Sequence, residues 1–96
     1  RTYVANLCNG ATVGYKYLAF TGEEHILRCE ARGSLDGSVE VRLDAPDGPV
    51  VGEVPLALDA AWRETIVEVD VPMGRHAIYF VIRGIGALDF STFCFE

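Results

Sequence analysis

"SVEVRLD", residues 38–44, splits cleanly when its residues are taken alternately: Val39, Val41 and Leu43 fall on one side, Glu40, Arg42 and Asp44 on the other. Successive side chains of a strand point to opposite faces, so this is a half-buried β-strand with its apolar set against a core. "ETIVEVDV" (64–71) repeats the pattern, with Thr65, Val67, Val69 and Val71 facing inward and Glu64, Ile66, Glu68 and Asp70 outward. "HAIYFVI" (76–82) is apolar on both sides, which predicts a central strand covered on both faces.

Working outward from these three, period-two runs recur over 12–20, 26–32, 38–44, 50–56, 62–71, 76–82 and 87–95, with a shorter candidate at 2–7. Between them lie residues suited to turns: Asn9-Gly10, Thr21-Gly22, Asp36-Gly37, Pro46-Asp47-Gly48 and the segment 84–86. No segment sustains a period near 3.6. The pattern predicts an all-β fold, a β-sandwich built as a jelly roll of about eight antiparallel strands, forming a single domain over residues 1–96.

"GYKYLAF" (14–20) fits this scheme least well. Alternation puts Tyr15, Tyr17 and Ala19 on one side and Lys16, Leu18 and Phe20 on the other, so neither side is cleanly polar or apolar. The reading is a strand that reaches the rim, with Leu18, Phe20 and one tyrosine buried while Tyr15 emerges as a platform for a flat, hydroxyl-rich ligand.

The formal net charge is −6 and the arginines are scattered without a run, so a phosphate backbone would be repelled and nucleic acid is not an expected partner. No apolar run approaches the length needed to cross a bilayer, and the first residues lack the pattern of a signal peptide, which a secreted parent would carry upstream. Three cysteines, Cys8, Cys29 and Cys94, leave one thiol over however they pair, which points towards a reducing compartment. Their spacings match no zinc site, and each reads as a small buried hydrophobe.

Catalytic signatures are absent. His25 and His76 have no nucleophile context, His76 reads as a structural histidine, and Gly84 and Gly86 lack the third glycine and helix of a dinucleotide site. Acid pairs such as Glu23 with Glu24, or Asp44 with Asp47, sit in turns with nothing to hold them across a cleft. A loop-borne calcium site would need carboxylates and carbonyls in a set this sequence does not spell out. By parity Trp62 belongs on the outer face with Glu64 and Glu68. It either stacks on the apolar face of a sugar ring or closes the end of the core.

Four stretches taken in order, "GYKYLAFTGE" (14–23), "SVEVRLDAPDGPVVGEV" (38–54), "AAWRETIVEV" (60–69) and "GRHAIYFVIRGIGALDFSTFCFE" (74–96), resemble carbohydrate-binding module family 6 over nearly the whole chain. The opening "RTYVANLCNGATVGYKYLAF" is similar to the modules that follow the catalytic domain in bacterial family 43 glycoside hydrolases. The resemblance implies a non-catalytic jelly roll that binds polysaccharide of the xylan or arabinoxylan type and holds an attached hydrolase on its substrate. It matches Tyr15 and Trp62 to the two aromatics that sandwich a sugar, with Tyr17 beside them. It also matches Asp89 to a ligand of a structural calcium. Ala87 stands where the family carries a sugar-binding asparagine, a second tryptophan near Trp62 is missing, and the acids of the family's first strand are not among these residues. The sandwich is therefore expected to lack that strand and to expose an edge through which copies could associate. An accessory domain without a sugar site, serving domain packing or oligomerisation, is the alternative.

Overall fold

The computed structural model describes residues 3–96. Eight strands follow in order: β1 (Val4–Cys8), β2 (Thr12–Phe20), β3 (Ile26–Gly33), β4 (Asp36–Leu43), β5 (Val50–Ala57), β6 (Arg63–Glu68), β7 (Gly74–Ile85) and β8 (Ala87–Phe95). They form two four-stranded antiparallel sheets, β1-β8-β3-β6 and β2-β7-β4-β5, so the chain crosses between the layers at most of its connections. This is the jelly roll the alternation called for. The start of the first expected strand, at residue 2, lies outside the described residues.

The core is the set of inward positions read from the pattern. Val39, Val41 and Leu43 of β4 are buried, and β7 buries both its sides, with Ile78, Phe80 and Ile82 inward and Ala77 and Val81 covered on the other face. β7 lies inside its sheet, between β2 and β4, and Ala77 and Val81 are covered on the outer side without a further layer over it. From the facing sheet come Leu27, Cys29 and Ala31 of β3 and Leu88 and Phe90 of β8. Aromatic rings bridge the layers, with Phe80 5.0 Å from both Phe90 and Phe93. Phe80 meets Phe93 edge to face at 61° and is tilted at 40° to Phe90.

β2 explains its own mixed sequence. Its register with β7 shifts between Tyr15 and Leu18, a bulge that absorbs Lys16 and Tyr17. An extra residue in one strand reverses the parity beyond it. Val13 and Tyr15 therefore face inward before the bulge and Leu18 and Phe20 after it, whereas Tyr17 is left 60% exposed. Along β1 a second irregularity falls between Val4 and Leu7, where Asn6 adopts a positive φ of 56°. Among the described residues β1 covers β8 only as far as Phe90, so residues 91–95 of β8 pair with β3 alone.

Candidate functional site

Alternation along the first sheet decides which side chains leave the core. Leu27, Cys29 and Ala31 of β3 are buried, so Arg28, Glu30 and Arg32 point outward. On β8, Asp89 lies between the buried Leu88 and Phe90 and points outward as well. Arg32 and Asp89 are register partners, and cross-strand neighbours on one face are within side-chain reach. The Arg32 Nε donates to Asp89 Oδ2 at 3.0 Å.

Two aromatic rings complete the corner. Tyr3 precedes β1 and Trp62 precedes β6, the two outer strands of this sheet. Their ring centroids are 5.3 Å apart at an interplanar angle of 70°. The Arg32 guanidinium carbon lies 4.5 Å from the Trp62 ring centroid and 5.0 Å from that of Tyr3. Its Nη2 also donates to the Tyr3 hydroxyl at 3.1 Å. Each of these distances is within the range at which a cation is attracted to a ring face.

Local chemistry holds both rings in place. The Asp59 carboxylate accepts the Ala61 backbone N–H at 2.9 Å and pairs with Arg63, so the loop before β6 is an Asx-type turn that delivers Trp62 to the sheet face. The Gly33 N–H donates to the Asp59 carbonyl at 2.8 Å, tying that loop to the end of β3 beside Arg32. At the other side, the positive φ of Asn6 aims its N–H at Asp89 Oδ1, 3.1 Å away. That backbone donor first, and the Arg32 guanidinium second, hold the Asp89 carboxyl below the usual carboxylate range.

Of the residues singled out from the sequence, Trp62 stands in this corner, outside the buried core. Tyr15 does not join it. Its ring packs edge-on against Phe93 at 4.7 Å and Phe80 at 6.0 Å, so of the β2 tyrosines it is Tyr15 that turns inward and Tyr17 that faces solvent. The physical reason is the bulge, which strict alternation cannot anticipate. Tyr3 and Arg32 are the residues the sequence reading missed. The outward parity of Arg32 was visible in "ILRCEARG", but only sheet order brings Tyr3, five strands earlier than Trp62, to its side.

Calcium does not fit at Asp89. The ion takes about six to eight oxygen ligands. Here one Asp89 oxygen accepts a backbone N–H, the other accepts a guanidinium, and no three His, Cys, Asp or Glu residues converge among the described residues. The Arg32 guanidinium already stands beside the carboxylate. His76, read as structural, has its Nδ1 3.1 Å from Asp44 Oδ2 at the far end of β7.

One further concavity lies away from this corner. A groove of about 290 Å³ between β2 and the end of β8 is lined by Leu18, Phe20, Phe93 and Phe95, with Glu24 at its rim. Glu24 caps the neighbouring turn, accepting the Thr21 and Gly22 backbone N–H groups at 3.1 Å each.

The profile of the carbohydrate binding module (family 6) matches residues 1–96. The chain is 33% identical over 91 residues to a xylosidase/arabinosidase of Thermoclostridium stercorarium, covering 95% of this chain and 19% of that protein. The chain thus spans about a fifth of that relative. A family 43 arabinoxylan arabinofuranohydrolase from Bacillus subtilis, solved with cellotetraose, superposes with a TM-score of 0.89 at 27% identity, over 98% of this chain and 21% of the other. A family 6 carbohydrate-binding module from Clostridium cellulolyticum, solved with xylose, has the same fold, with a TM-score of 0.86 at 20% identity over 98% of this chain and 86% of that one.

Proposed function

The chain belongs to carbohydrate binding module family 6, and we propose that it is a non-catalytic module that binds xylan or arabinoxylan chains at the Tyr3–Trp62 corner and tethers a glycoside hydrolase to them. The observation that carries this is the meeting of two aromatic rings outside the core, 5.3 Å apart, beside the Arg32 guanidinium and the Asp89 carboxylate. Sugar rings present apolar C–H faces to aromatics and hydroxyl rims to polar side chains. Tyr17, exposed on β2 of the other sheet, stands apart from this corner as a separate candidate contact.

The relatives named as xylosidase/arabinosidase and arabinoxylan arabinofuranohydrolase support a xylan-type ligand and an attached hydrolase. Three unbridged thiols, with Cys8 and Cys94 exposed, support a reducing compartment.

Stacking contributes ~1 kcal/mol per ring beyond buried area, so an open face of this kind binds in the micromolar to millimolar range. Isothermal or NMR titration with xylo- and arabino-oligosaccharides tests the reading. Wild type should respond at millimolar ligand and Trp62→Ala should not; silence from wild type removes the glycan reading. The alternative, an accessory domain without a sugar site, draws on Ala87 and on the closed arrangement of the rings. It calls for no response to any glycan, and for a stable complex with a catalytic domain or a second copy in a size measurement.

A further inference from the structure

We infer that Arg32 holds the aromatic cleft of this module shut, bearing on both Tyr3 and Trp62 and keeping the two rings in edge-to-face contact, so that a glycan enters only when the guanidinium lets the rings part. The inference rests on reading this corner as the glycan site. It adds a residue that sets how much of that site is open.

The geometry carries it. A pyranose held between two rings needs van der Waals contact on each of its faces, a separation of about 7–8 Å between rings. The centroids here are 5.3 Å apart and the planes stand at 70°, so no parallel slot is present. The guanidinium lies within 5.0 Å of both centroids, beside the touching pair, where it bears on both rings at once. It is anchored by Nε on Asp89 and by Nη2 on the Tyr3 hydroxyl, and its register partner Asp89 is itself fixed by the Asn6 N–H.

The closure is reversible rather than structural. The Arg32 and Asp89 side chains are 32% and 22% exposed, and an ion pair within reach of water is held weakly and screened by salt. A site that is open only part of the time shows an apparent Kd equal to the intrinsic Kd divided by the open fraction. An open fraction on the order of a tenth is the scale that two exposed hydrogen bonds and two ring contacts would set, and with it removing the guanidinium should tighten binding on the order of tenfold. Raising salt should tighten wild type in the same direction and leave Arg32→Ala unmoved.

The test needs two readouts on the intact module. Trp62 is the single tryptophan, so acrylamide quenching of its fluorescence reports its cover without any sugar. Arg32→Ala should raise the quenching constant, and titration with xylohexaose should show binding on the order of tenfold tighter than wild type. Tyr3→Phe keeps the ring while deleting one anchor, so it should move both readouts the same way by a smaller factor, even if Arg32→Ala folds poorly.

Unchanged quenching in both variants overturns the closure whatever the sugar does. Raised quenching with unchanged or weaker xylohexaose binding overturns it too, as does tighter wild-type binding of a glucuronic-acid-bearing xylo-oligosaccharide that Arg32→Ala loses, since the guanidinium would then be a contact. Raised quenching with no binding by any protein supports the closure and overturns the glycan reading instead.

Discussion

Tyr15→Ala should destabilise the module and leave its ligand affinity alone. The Tyr15 ring faces inward and meets Phe93 at 4.7 Å and Phe80 at 6.0 Å, both edge-on, so truncation removes a ring that links β2 to the facing sheet. A fully buried aromatic cut to alanine costs about 3–5 kcal/mol through lost transfer energy and the cavity left behind. Tyr15 is only partly buried, which places the loss near or below the low end, about 2–3 kcal/mol. For a domain of this size each kcal/mol moves Tm by about 4–8 °C, so Tm should fall by roughly 10–20 °C. Urea midpoints should fall by about 2 M, with the slope unchanged. Trp62→Ala, outside the core, should shift Tm by no more than a few degrees and abolish the sugar response. Calorimetry gives the first quantity, and titration well below the lowered Tm gives the second. A Tyr15→Ala protein with wild-type Tm and no sugar binding would refute the placement of that ring.

Three further outcomes follow from particular residues. Cys29 is buried, which pushes its thiol up to about 11, while Cys8 and Cys94 are exposed; a disulfide exchange reagent at pH 8 should therefore label two thiols quickly and the third only on unfolding, and three fast thiols would contradict that burial. Asp89 is held below the ordinary carboxylate range by the Asn6 N–H and then by Arg32, so its contribution is present above about pH 4 and lost as pH falls through its lowered folded-state value. Asp89→Asn should flatten stability against pH in that acid window, and an unaltered acid profile would show the carboxylate to be a bystander. At Gly33, φ is +140° and an added Cβ would meet the Ala87 carbonyl at 2.4 Å and Leu88 Cα at 2.9 Å. Gly33→Ala combines backbone strain with overpacking and should cost about 2–4 kcal/mol in chemical denaturation; a loss under ~0.5 kcal/mol would mean that β3 and β8 part easily there.

The groove between Leu18, Phe20, Phe93 and Phe95 lies beside the stretch of β8 that pairs on one side only, where an added strand would find free backbone groups among the described residues. Analytical ultracentrifugation over a concentration series tests whether copies of the chain meet at that edge.

From the sequence alone came the layers and their inner faces. Val39, Val41 and Leu43 alternate against charged neighbours, "HAIYFVI" does not alternate, and turn residues separate the runs, so strand count, the central strand and the core all followed from a period of two. That period survives translation from chain to structure because each strand needs only to know which of its own sides meets water. The corner holding Tyr3, Asp89, Arg32 and Trp62 obeys no such local rule. Its members come from four separate positions of one sheet, brought into line by the order β1-β8-β3-β6. The bulges at Asn6 and at Lys16–Tyr17 are equally non-local in effect. One aims a backbone N–H at Asp89, and the other exchanges the roles of Tyr15 and Tyr17. Alternation states which residues leave the core; only the pairing of distant strands decides which of them meet once outside it.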